Sequence, residues 1–455
     1  MEKIEGQKTL FPKTPETFRT YFEGEGDKKA FFTVESLRNE VESLQGWNTT
    51  KEKAHREITE LPSDVIPKIL EEFRPYMELM PAGHSKGHAY RDFISSMIAL
   101  KDPEIEKIDD VEKLVGVLAG TFHDIGNSVI NRYEEPKRFS GHAEIGSYLF
   151  GELAKDVIPP NLLKLIQYAI AAHTHYTKDM PVTKVIDGRE ETLVKRPYED
   201  EVVERSRMGI WLARMTDRVD AQGVQMIVRH SLVKSQPTED YDPSLGFHKV
   251  RDDEKDDFRH QFSPQLRTDE YRSTLSPEQK TRNILEHMQM FRDSALNKTV
   301  YSKNDSAFFT NTLIIPAAEE QNEFVDAVVS ETEELSGEEV KKAFDNFYSI
   351  CKITEPAQDV NYTIDILKQK FALLSQLERS HWANGYNLLP ALYERWYQRI
   401  DSDLSQDFGS TISGKTRSIL EQGNELARIK LKDFKIDDRF RTEGSKNSTS
   451  PEPSS

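Results

Sequence analysis

Histidine is unevenly spread along this 455-residue chain: six of its twelve histidines (His84, His88, His123, His142, His173 and His175) fall between positions 84 and 175. Even scatter would leave about two there. In order, the chain presents His88, then His123-Asp124, then His142, then His173 with His175 close by, then Asp217, each where a core residue is expected. His123-Asp124 closes an apolar stretch (Leu114, Val115, Val117, Leu118) just before Ile125-Gly126. His173 follows Ile166, Ala169 and Ile170 on one helical face, and Asp217 follows Ile210 and Ala213 at the same kind of spacing. The spacing therefore predicts several helices that aim imidazoles and carboxylates at one point.

Such a set suits a transition metal. Cys351 is the only cysteine, which excludes an intramolecular disulfide framework and any zinc site built from paired cysteines, and neutral imidazole with carboxylate is the available donor chemistry. An adjacent His-Asp pair is useful because the imidazole binds one ion while the carboxylate can bridge two through its two oxygens. Two ions about 3.5–4 Å apart activate a shared water and neutralise a phosphoryl group under attack. The net charge of −17 argues against a long nucleic-acid partner. No apolar run approaches the roughly 20 residues that span a bilayer, and the N-terminal MEKIEGQKTLFPK lacks a signal-peptide core. The expectation is a cytoplasmic protein without a membrane partner, compatible with an oligomer.

Along the chain, residues 1–75 read as a mixed, mostly helical extension and 76–235 as a helical metal-binding domain. Inside the latter, MPVTKVIDGREETLVKRP sets β-favouring residues on both sides of Asp187-Gly188, predicting a hairpin over about 180–196. Residues 236–282 read as a charged linker, with 15 charged side chains among the 32 positions of 251–282. Residues 283–440 read as a helical C-terminal domain, with a stripe at Phe324, Val325, Val328 and Val329, and 441–455 as a disordered tail. The predicted class is all-α, with a small β-hairpin insertion and an additional helical domain.

The ordered series, with HDIG at 123–126, GHAEIGSYL at 141–149 and IAAHTH at 170–175, resembles the HD-domain metal-dependent phosphohydrolases, and within them the HDIG branch that includes ribonuclease Y and the cyclic-dinucleotide phosphodiesterases. The resemblance spans residues 80–225 or so. It implies a binuclear site of manganese, iron or magnesium in which His88, His123, Asp124 and Asp217 hold one ion, and Asp124, His142 and either His173 or His175 hold the other. His123 and Asp124 would be the catalytic pair, with His84 a further metal or substrate residue. Lys86, Lys137 and Arg138 are candidates for gripping phosphate. The chain departs from the branch at Asn127, where lysine is common, at Thr174, which separates two histidines usually adjacent, and in lacking a GYP motif.

The implied activity is hydrolysis of a phosphorylated small molecule or nucleotide by a metal-activated hydroxide. Two other functions share the ligand order: a di-iron oxygenase of the same fold, and a non-catalytic module that senses a nucleotide.

Overall fold

The computed structural model describes residues 14–80, 84, 86–102, 105, 107–130, 141–174, 180–186, 189–196, 207–220, 248–251, 258–261, 273–280, 282–283, 327, 330, 395, 397–412 and 414–433. The Phe324–Val329 stripe, most of 283–440, Cys351 and the tail at 441–455 lie outside the described residues. The fold is all-α. Among the described residues, no helix is long and apolar enough to cross a membrane.

The chain divides into two units, Met1–Pro81 with Asp110–Ala213, and Ala82–Asp109 with Arg214–Ser455. The first unit opens with α1 (Pro15–Tyr21), whose Thr14 side chain accepts from the Thr17 amide and whose proline occupies the first helical position. A π-helical turn, Phe22–Gly26, leads into α2 (Asp27–Val41). Ser43 caps α3 (Leu44–Ile58), and α4 (Val65–Met77) follows. The Phe73 ring of α4 packs tilted against Phe122 and Phe150, 4.6 Å and 5.1 Å away from ring centre to ring centre, forming an aromatic core.

Helix α6 (Asp110–Phe122) is buried from Val111 to Phe122 and packs on the first turns of α9 (Met208–Asp220), of which residues 208–213 belong to this unit. Mutual glycines make that approach close. A Cβ on Gly116 would lie 2.6 Å from Leu212 Cδ2, and one on Gly209 would lie 2.8 Å from Val115 Cγ1. Glu112 locks the same junction: its carboxylate accepts from Trp47 Nε1 at 2.7 Å and from the Gly209 amide at 2.8 Å, with Lys51 Nζ at 3.4 Å. A negative group at the start of α9 also complements the helix dipole. Because both donors would be stranded in a buried site, Glu112→Ala is expected to lower stability by about 3 kcal/mol. Urea unfolding followed by tryptophan fluorescence measures this.

Helices α7 (His142–Ala154) and α8 (Pro160–Ala172) complete the helical part of the first unit. Strands β1 (Met180–Ile186) and β2 (Arg189–Lys195) pair antiparallel, Met180 opposite Lys195 and Ile186 opposite Arg189. The end of the pair is tied to α2: Arg38 Nη1 donates to the Arg196 carbonyl at 3.0 Å, and Arg196 Nη2 pairs with Glu35 at 3.0 Å.

In the second unit, α5 (Lys86–Ala99) is buried from Gly87 onward, polar residues included, and packs along α10 (Gly414–Asp433). Lys101, whose ammonium is pushed down to about 8 by burial, donates to the carbonyls of Asp403 at 3.0 Å and Leu404 at 2.7 Å. It thereby satisfies carbonyls near the end of a helix over 397–405. A second short antiparallel pair, β3 (His248–Arg251) with β4 (Phe258–Gln261), lies within the stretch read from sequence as a charged linker.

Candidate metal centre

In the first unit α6 stops at His123-Asp124, and the Asp124 carbonyl accepts from the Asn127 amide at 2.9 Å to open a tight 3₁₀ turn, Ile125–Ser128. Gly126 is needed there because a Cβ would collide with the His142 carbonyl and lie 2.7 Å from the Gly146 amide. A Cβ on Gly146 would in turn lie 3.1 Å from the Gly126 amide. The two glycines let the turn press onto the first turns of α7, which sets His142, its first residue, beside Asp124. His173 arrives as the residue capping α8, a helix packed on both α6 and α7. The HDIG and GHAEIG patterns are thus one packing device read from its two sides.

The Asp124 carboxylate divides its oxygens. Oδ2 faces His123 Nε2 at 3.3 Å, while Oδ1 faces His142 Nε2 at 3.3 Å and His173 Nε2 at 3.8 Å. All four residues are at least nine-tenths buried. His123 donates from Nδ1 to the Gly120 carbonyl at 2.8 Å, and His173 from Nδ1 to the Ile170 carbonyl at 2.7 Å. Each backbone carbonyl fixes the proton on Nδ1 and leaves the Nε2 lone pair turned inward, the tautomer a metal ligand requires. Ligand atoms of His123, Asp124 and His173 lie within 4.8 Å of one another. This donor set fits a divalent transition ion.

Burial, with His123 and His142 close by, holds the His173 imidazole well below its ordinary 6.5. The unfolded chain therefore takes up the proton first as pH falls below 6.5, so stability should decline from there until the folded imidazole itself protonates. Thermal melting of metal-free protein between pH 8 and pH 5 should show this slope, and His173→Asn should flatten it.

The second unit carries its own polar set. From α5, His88 and Asp92 sit one turn apart, with His88 Nε2 3.3 Å from Asp92 Oδ2. Asp217 of α9 brings Oδ1 to 3.6 Å from the same nitrogen. Ligand atoms of these three residues lie within 4.8 Å of one another. On the other side of the ring, His88 Nδ1 donates to Asp220 Oδ2 at 2.7 Å. Burial alone would raise the Asp220 carboxyl, but Arg91 and His88 together hold it well below the usual carboxylate range.

Of the residues expected from sequence, His123, Asp124, His142 and His173 come together in the first unit, and His88 and Asp217 in the second. His84 is half-buried with its ring 6.2 Å from that of His88, and Lys86 is the half-buried first residue of α5. His175, Lys137 and Arg138 lie outside the described residues. Sequence reasoning missed Asp92, Arg91 and Asp220. Their signal was available: Arg91 and Asp92 follow His88 by three and four residues, and Asp220 follows Asp217 by three, the spacings that share a helix face. No family model, curated protein or solved structure matches this chain.

Proposed function

We propose that this protein is a metal-dependent phosphohydrolase or phosphodiesterase of the HD type, acting on a phosphorylated small molecule or nucleotide. The observation that carries the reading is the division of the Asp124 carboxylate, one oxygen to His123 and the other to His142 and His173. A carboxylate so placed suits a bridge between two ions. By the resemblance to the HD pattern, His88, His123, Asp124 and Asp217 would hold one ion, and Asp124, His142 and His173 or His175 the other. Asp92 joins the candidate ligands through its place beside His88 and Asp217.

Ions of this kind, when bound, supply an activated water and neutralise charge developing on the phosphoryl oxygens. The chain's own part is orientation: the carbonyls of Gly120 and Ile170 hold the Nδ1 protons, and buried walls around His123 and Asp124 exclude bulk water. The charge of −17 favours a small substrate over a polynucleotide. The single cysteine and the imidazole ligands suit a reducing cytoplasm.

The test is turnover of p-nitrophenyl phosphate and bis(p-nitrophenyl) phosphate by metal-free protein reloaded with manganese, iron or magnesium, with and without dioxygen. Metal-dependent hydrolysis that is equal under anaerobic conditions supports the reading. Product formation that requires both iron and dioxygen would instead establish the oxygenase, and tight nucleotide binding without turnover would establish a sensor.

A further inference from the structure

Within the second unit, the imidazole of His88 is held from one side by a carboxylate that is itself gripped by a guanidinium. His88 Nδ1 meets Asp220 Oδ2 at 2.7 Å, and Arg91 donates to the same carboxylate twice, Nε to Oδ1 at 2.5 Å and Nη2 to Oδ2 at 2.9 Å. All three residues are buried. An ionised carboxylate only accepts, so the imidazole proton is fixed on Nδ1. Nε2 then carries its lone pair toward Asp92 Oδ2 at 3.3 Å and Asp217 Oδ1 at 3.6 Å. A lone pair facing two carboxylate oxygens is repulsive unless a proton or a metal cation lies among them, and an ion bound there takes the place of that proton. We infer that Asp220, gripped by Arg91, is the positioning residue that fixes the coordinating nitrogen of His88, and that neither Asp220 nor Arg91 is itself a ligand.

The inference rests on the metal-centre reading above, and it makes a prediction that a merely structural ion pair does not. In Asp220→Asn the amide offers one acceptor and one donor where Asp220 offered two acceptors. Arg91 claims the oxygen, the amide NH₂ turns toward His88 Nδ1, and the imidazole must carry its proton on Nε2, where it blocks coordination. Removing the competing guanidinium in Arg91→Met/Asp220→Asn frees the amide oxygen to accept from His88 Nδ1 and restores the coordinating tautomer. The second substitution should therefore rescue the first, although a lost ion pair would only be worsened by it.

The experiment is cobalt(II) titration of the metal-free, full-length protein, followed by calorimetry and by the visible cobalt spectrum. Asp220→Asn should weaken one binding event by about 10- to 100-fold, the usual effect of losing an outer partner of a metal-bound histidine. It should also shift the cobalt bands, and the double variant should recover most of both. Asp220→Asn titrating like wild type, or a double variant weaker than the single one, would overturn the inference while leaving the metal reading intact. Wild-type protein that binds no cobalt would overturn both. Should Asp220→Asn fail to fold, ¹⁵N NMR of the wild-type imidazoles in metal-free protein at pH 8 decides the matter: a His88 proton on Nδ1 is expected, whether or not Nε2 also carries one, and a proton on Nε2 alone refutes the inference.

Discussion

Asp124→Ala is expected to lower phosphoester hydrolysis by about a thousandfold or more, on the order of 4 kcal/mol of transition-state stabilisation. It should also strip most of the bound metal. The reason is position: this one carboxylate faces the Nε2 atoms of His123, His142 and His173, so its removal takes away the anion that these three buried imidazoles share. The protein should stay folded, because the turn after α6 is held by backbone bonds such as that from the Asn127 amide to the Asp124 carbonyl, which alanine keeps. Steady-state kinetics with circular dichroism as the folding control checks this. Activity at the wild-type level would remove Asp124 from the chemistry.

Gly126→Ala should destabilise the fold and weaken the metal centre together, through the addition of one methyl group. The added methyl would meet the His142 carbonyl and stand 2.7 Å from the Gly146 amide, both of them backbone groups that no side-chain rotation can relieve. Overpacking at such a contact costs roughly 2–3 kcal/mol. Relief requires α7 to move, carrying His142 away from Asp124, so metal affinity should fall along with the denaturant midpoint. Gly414→Ala is the control: nothing lies within 4 Å of a Cβ there, and its effect should stay within about 0.5 kcal/mol. Equal effects at the two glycines would mean that the turn does not rest on α7 as described.

The helical class was legible because apolar residues recur at helical spacing around the polar series, and tertiary packing reinforces that period in α6, α7 and α8. Four ligand-type residues of the first unit were legible for a related reason, since each ends or begins a helix whose apolar face fixes its direction. Asp92, Arg91 and Asp220 were harder. Acidic and basic residues at helical spacing from a histidine are usually solvated surface, and only burial distinguishes a partner from such a face. The β3–β4 pair was missed because its residues are largely polar, so the alternation that marks a half-buried strand is absent from HKVR and FRHQ. The meaning of Gly126 and Gly146 was equally hidden, since a sequence shows a glycine but not the backbone that approaches it.

The most direct test of the central claim is the metal content of the purified full-length protein, measured alongside its metal-dependent hydrolysis of bis(p-nitrophenyl) phosphate. The account predicts about two divalent ions per chain and hydrolysis that disappears with chelation and returns with manganese. Protein that takes up no divalent ion when supplied with manganese, iron or magnesium would contradict it, and would leave the buried histidines around Asp124 as packing alone.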